Sequence, residues 1–218
     1  MVRKLVLIGG AAVLGIIGTL VAVLSPSQVS SEAIERSIDR SAASLELAWS
    51  QPVASTYKNN VVWQSNASRC GPASIANAFR SVGEAAATEA EVLAGTGRCW
   101  SGFCLLGLTL DELAEVAQVH TKRKVTVLRD LTLESFREHL RRSNDLTRRY
   151  IVNFSRDRIF GSGVGHHSPI GGYLQAQDLV FVLDVNSKFG PWLVESSRLF
   201  AAMDTFDGEK KRGLILLE

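Results

Sequence analysis

Apolar and polar positions follow two different rhythms along the chain, helical in the first two-thirds and alternating in the last third. Residues 74–79 form a small, apolar helical stretch, and 88–94 read as a short helix. Thr109-Leu110-Asp111-Glu112 has the spacing of a capping box and opens a helix to about residue 119. A further helix is expected over 132–142, where Leu133, Phe136 and Leu140 share one face. Residues 124–128 alternate like a strand, and from Tyr150 onward strand patterns dominate: 150–154, 168–173, 179–185, 192–194 and 214–217. A short helix over 196–203 interrupts them. Helices first and strands later, with little alternation between them, predict an α+β fold rather than a doubly wound sheet.

The N-terminus departs from this pattern. Arg3 and Lys4 precede an uncharged apolar run over 5–24. Some 20 residues at about 1.5 Å each reach across a hydrocarbon layer of about 30 Å. Pro26 spoils the nearest cleavage site, so an uncleaved membrane anchor is favoured over a cleaved signal peptide. Arg3 and Lys4 would stay cytoplasmic and the rest of the chain would be exported, in a bacterial cell to the periplasm. The expected organisation is an anchor over 1–24, a polar stalk over 25–56 with some helix around 32–47, and a globular domain over 57–218. At 218 residues and 46% hydrophobic, the chain can bury one ordinary core. A formal charge of +2 gives no nucleic-acid footprint, and Arg141, Arg142, Arg148 and Arg149 read as solvated charges around a helix end.

Candidate chemistry gathers at three places. Cys70-Gly71-Pro72 starts the helix of residues 74–79, which puts a thiol at the positive end of a helix dipole and favours thiolate. Gln64, six residues earlier, offers a side-chain donor for an oxyanion, together with the Cys70 backbone N–H. Downstream, Gly165-His166-His167-Ser168-Pro169 supplies a base. Adjacent strand residues point to opposite faces, so only one imidazole is expected to meet Cys70, and the residues alone do not choose. Asp184 lies in the apolar run 179–185, where an unpaired charge would be costly, and an imidazole is a fitting partner. Singly, each has a plain structural reading. Their order, Cys then His then Asp with Gln before the Cys, is that of papain-like enzymes. Cys99 and Cys104 are close enough in sequence to close a small disulfide loop in an oxidising compartment, leaving Cys70 as the odd thiol. His120 is the one further ligand near them, too little for a zinc site.

With Gln64, Cys70-Gly71, Gly165-His166-His167-Ser168-Pro169-Ile170-Gly171-Gly172-Tyr173 and Val182-Leu183-Asp184-Val185, the chain resembles the phytochelatin synthase family over about 57–218. The resemblance implies a papain-like fold and an enzyme that acts on glutathione. Cys70 would attack the Cys–Gly amide, release glycine and form a γ-glutamylcysteinyl thioester, which water or a second glutathione then resolves. It further implies His166 as base, Asp184 as its orienter and Gln64 as oxyanion donor. Arg156 and Arg212 would hold the γ-glutamyl carboxylate, and Asp207 its amine. No resident cofactor or metal site is implied; cadmium and similar ions would enter as metal–glutathione complexes, and a homodimer is left open. Two departures stand out. After Asp184-Val185 the family's Arg-aromatic-Lys-Tyr-Pro-Pro is replaced by a shorter Asn186-Ser187-Lys188-Phe189-Gly190-Pro191-Trp192, and no Cys-rich region follows Glu218. Both favour hydrolysis of glutathione over full phytochelatin synthesis. A papain-like peptidase for another peptide, or a membrane-tethered binding module, are the competing readings.

Overall fold

The computed structural model describes residues 28–58, 60–99, 104 and 107–218. The expected anchor over 1–24 lies outside them, and among the described residues no helix is long and apolar enough to cross a membrane.

Six strands form one antiparallel sheet in the order β1-β8-β2-β3-β4-β5: β1 (Val125–Leu128), β8 (Leu214–Leu217), β2 (Arg149–Ser155), β3 (Gly165–Leu174), β4 (Leu179–Leu183) and β5 (Pro191–Glu195). A small hairpin, β6 (Phe206–Asp207) with β7 (Lys210–Lys211), stands apart. Period-two alternation decides what each sheet face buries. Tyr150, Val152, Phe154, Val180, Val182, Trp192, Leu214 and Leu216 face one way, against helices Leu133–Arg142 and Ser196–Met203. Ile151, Ile215 and Leu217 face the other way, under helices Cys70–Val82 and Leu110–Val119. Phe181, Leu183 and Leu193 continue that second face under Ala48, Val53 and Ala54.

The capping box at Thr109 forms as its spacing requires, the Thr109 side chain accepting from Glu112 N–H and the Glu112 carboxylate accepting from Thr109 N–H. Helix Cys70–Val82 ends at Gly83, whose φ of 75° is the left-handed stop that glycine adopts most readily.

The expected stalk is a correction. Residues 28–56 are part of the domain: helices Ser31–Ser37, Ala42–Trp49 and Pro52–Thr56 pack on it. Val29, Ala33 and Ile34 enter the core cluster of Phe154 and Trp192, while Ala48, Val53 and Ala54 are fully buried. Asp39 exchanges two backbone hydrogen bonds of 2.9 Å with Leu193 and extends β5. The segment looked polar because short helices present only a few small apolar residues inward.

Candidate functional site

Cys70 is the first residue of its helix, buried, and the free cysteine of the chain. As a first-turn residue its N–H has no acceptor within the helix, which leaves it available to an oxyanion. Residues 70–79 of this helix are all buried, and the Ser74 hydroxyl sits 2.7 Å from the Cys70 carbonyl and 2.9 Å from the His167 carbonyl. One hydroxyl thus ties the helix tip to β3. Asn77, one helical turn on, accepts from Val62 N–H at 2.9 Å and donates to Val62 O at 2.8 Å. Gln64 N–H in turn donates to Val185 O at 2.8 Å. The loop bearing Gln64 is therefore held between the cysteine helix and the residue after Asp184.

Both histidines lie on β3, buried. His166 Nε2 is 2.9 Å from Asp184 Oδ1, which directs its other ring nitrogen away from the carboxylate. His167 Nδ1 is 3.8 Å from Cys70 Sγ. Both imidazoles nonetheless bear on the thiol's titration. Burial by itself raises the Cys70 thiol, but the charge of His166, hydrogen bonds from His166 and His167, and the charge of His167 outweigh it and hold the thiol well below its usual value. Alternation holds along this stretch: His166 pairs with Phe154 and packs against its ring, while His167 pairs with Asn153 and turns to the other face, toward the Cys70 sulfur.

Asp184 follows β4 and is fully buried. It accepts from His166, from Arg156 Nη2 at 2.9 and 2.8 Å, from Asn186 N–H at 2.9 Å and from Trp192 Nε1–H at 3.2 Å. Burial pushes its carboxyl up, yet the charges of His166 and Arg156 and these hydrogen bonds hold it far below the usual carboxylate range. For His166, burial and Arg156 press the pKa down, while Asp184 and the Cys70 thiolate prevail and raise it. Cys70 and His166 therefore favour each other's charged forms.

The structure gives Arg156 another partner than the one expected. Its Nη2 donates to both Asp184 oxygens and its guanidinium lies 3.4 Å from the centroid of Phe189, while Nη1 has no hydrogen-bond partner among the described residues. An Arg in the first turn of a short helix (Arg156–Phe160) after β2 gave no sign in sequence of a partner 28 residues away. Trp192 and Ser74 were likewise missed, because each acts through a contact distant in sequence.

Asp207 and Arg212 pair with each other. Arg212 Nη2 donates to Asp207 Oδ1 at 3.0 Å and Asn153 Nδ2 donates to Asp207 Oδ2 at 3.0 Å. Both line a cleft of about 770 Å³ with Cys70, His167, Asn153 and Ser68. A Cβ at Gly165 would come within 2.8 Å of Arg212 Nη2, so the glycine before the histidines makes room for this arginine. A second cleft of about 440 Å³ lies on the other side of residues 163–165, lined by His166, Gln64, Asn186, Lys188 and Phe189. The shortened loop thus walls the cleft on the base's side. Gln64 Nε2 donates to Asn66 O at 2.8 Å; an amide nitrogen carries two hydrogens, so a second donor remains. Cys99 and Cys104 form a disulfide, and Cys104 N–H donates to Ser68 Oγ at 3.1 Å, two residues from the nucleophile. Among the described residues no group of three or more acidic, His or Cys side chains could hold a metal ion.

Curated relatives match short stretches of the chain. A glutathione gamma-glutamylcysteinyltransferase of Schizosaccharomyces pombe is 26% identical over 117 residues, 51% of this chain and 28% of the relative. Glutathione gamma-glutamylcysteinyltransferase 3 of Lotus japonicus is 43% identical over 61 residues, 28% of this chain and 13% of the relative. The chain spans well under a third of these relatives' lengths. A C39-like peptidase from Bacillus anthracis superposes with a TM-score of 0.51 at 13% identity, covering 73% of this chain and 95% of that one. This shares the fold, an α+β arrangement of the papain-like peptidase kind. The profile of the family described as Phytochelatin synthase matches residues 24–214, and with that extent of match the chain belongs to the phytochelatin synthase family.

Proposed function

We propose that this protein is an exported glutathione γ-glutamylcysteinyltransferase that works through a Cys70 thioester. The observation that carries the reading is a buried thiol at a helix tip, 3.8 Å from one of two adjacent buried imidazoles, of which the other bonds a buried, five-fold hydrogen-bonded Asp184. Cys70 as thiolate attacks the Cys–Gly carbonyl. The Cys70 N–H and the remaining Gln64 donor face the developing oxyanion. His166, protonated, gives its proton to the departing glycine nitrogen and then takes one from the incoming water or from the α-amine of a second glutathione. Asp184 holds the ring and stabilises its charge. The γ-glutamyl end rests in the larger cleft, its carboxylate toward Arg212 and its amine toward Asp207. The acceptor enters by the smaller cleft, on the side of His166. Metal ions act in this scheme as glutathione complexes.

Acid quenching during turnover, followed by intact-mass and peptide mapping, tests the reading. It predicts a γ-Glu-Cys adduct on Cys70 in the wild type and none in Cys70→Ser. An adduct on another residue, or none with glycine still released, would overturn it. Val164 and Phe206, both largely exposed beside the larger cleft, favour a second reading, a peptidase for a longer peptide with an apolar side chain there.

A further inference from the structure

His167 is a buried titratable group that the proposed acid–base chemistry does not use. It is 3% exposed, its Nδ1 lies 3.8 Å from Cys70 Sγ, and among the described residues its Nε2 has no hydrogen-bond partner. Its position is fixed twice, by the β2–β3 ladder opposite Asn153 and by the Ser74 hydroxyl on its carbonyl.

The two imidazoles differ in which nitrogen is engaged. His166 meets a carboxylate through Nε2, so that nitrogen carries hydrogen and Nδ1 is left to exchange a proton with the thiol. His167 meets the sulfur through Nδ1 and has no carboxylate behind it. Facing a thiolate, the ring is favourable only with hydrogen on Nδ1. Such a ring donates to sulfur and has no orienter to stabilise a transferred proton.

We propose that His167 is a second catalytic residue of this site, an Nδ1–H donor to the Cys70 sulfur rather than a base. This rests on the reading of Cys70 as the nucleophile. The donor serves twice. It holds the resting thiolate, and when the thioester carbon–sulfur bond breaks, the electron pair returns to a sulfur that already has an N–H to receive it. Beside it stand the other charged groups of the site: His166 on the same strand, Asp184 and Arg156 behind His166, and Asp207 and Arg212 across the larger cleft. The hydrogen bond of His167 works in the same direction as the charge of His166 in keeping the thiol ionised.

The test is the pH dependence of iodoacetamide alkylation at Cys70 in the full-length wild type, His167→Phe and His167→Asn, with circular dichroism as the check on folding. Losing a hydrogen bond to a charged group moves the half-reaction pH of His167→Phe upward by about one unit or more. At a pH below both midpoints its alkylation is then about tenfold slower than the wild type's. His167→Asn keeps an N–H donor at the place of Nδ1 and recovers most of the rate. Should the Phe variant not fold, His167→Leu, which has no donor, replaces it against Asn. An unshifted profile in His167→Phe would overturn the proposal, and so would an Asn variant no better than Phe. Glutathione plays no part in this readout, so a wild type that releases no glycine would remove the proposed substrate while the alkylation profile still decides the role of His167.

Discussion

Replacing Asp184 by Asn removes one charge from a fully buried cluster and leaves the volume almost unchanged. Arg156, 5% exposed, would then keep its charge with the Phe189 ring as its main remaining contact. Removing one partner of a buried pair costs about 3–5 kcal/mol, because the other charge stays desolvated. For a chain of this size that is a fall in Tm of about 6–20 °C. Met at 156 together with Asn at 184 removes both charges, and the single Asn oxygen can still accept from Asn186 N–H. The double variant should therefore be less destabilised than the sum of the singles by about 2 kcal/mol or more. Glycine release should stay about 10⁴-fold down in every variant lacking the carboxylate, since His166 loses its orienter. Urea unfolding at pH 7 measures the three stabilities. Additive losses, or an Asp184→Asn variant within about 0.5 kcal/mol of wild type, would refute the buried-pair reasoning. The pH dependence adds a sign. The folded carboxyl titrates far below its unfolded value of about 3.9, so its stabilisation is fully present above about pH 4 and is lost as pH falls through the folded value. The gap between wild type and Asp184→Asn should thus be constant from pH 7 to about 5 and close in stronger acid.

Further outcomes follow from the same contacts. Cys70→Ser and His166→Ala should each abolish glycine release, whereas His167→Ala should lower it without abolishing it; equal loss from both histidine variants in a turnover assay would contradict the assignment of His166 as base. The kcat/KM profile against pH should be bell-shaped, rising through the depressed Cys70 titration and falling through the raised His166 one, and a single rising limb near the pKa of an ordinary thiol would contradict the ion pair. Replacing Cys99 and Cys104 by Ser opens a loop of sequence separation 5 and should lower stability by about 2 kcal/mol under oxidising conditions, checked by calorimetry; an unchanged Tm would contradict the disulfide. Deleting residues 1–45 should destabilise the domain, because it removes Val29, Ala33, Ile34 and the Asp39–Leu193 bridge, and a truncated chain as stable as the full one in urea would contradict the packed role of residues 28–56.

What the sequence carried and what it did not follow one physical divide. The strands after Tyr150, the Thr109 capping box and the helix behind Cys70 are local signals, set by periodicity and by residues three apart, and each formed where expected. Cys70, His166 and Asp184 could be singled out because their residue types are unusual in apolar surroundings, and Asp207 met Arg212 because a hairpin joins them. Arg156 was given to the substrate because its type suits a carboxylate; that the carboxylate is Asp184 depends on a pairing across the fold. His167 was passed over because the resemblance gave the base to His166; that its ring faces the Cys70 sulfur depends on how β3 meets the cysteine helix. Residues 28–56 looked like a stalk because their inward face is built from alanines and single aliphatics, too sparse to register as a period.

Mass spectrometry of the full chain incubated with glutathione, with and without cadmium, tests the central claim most directly. The account predicts free glycine with γ-Glu-Cys, or products lengthened by γ-Glu-Cys units, from the wild type and neither from Cys70→Ser. Intact glutathione in both conditions, from a wild type whose Cys70 alkylates readily at acid pH, would contradict it and move the search to longer peptides.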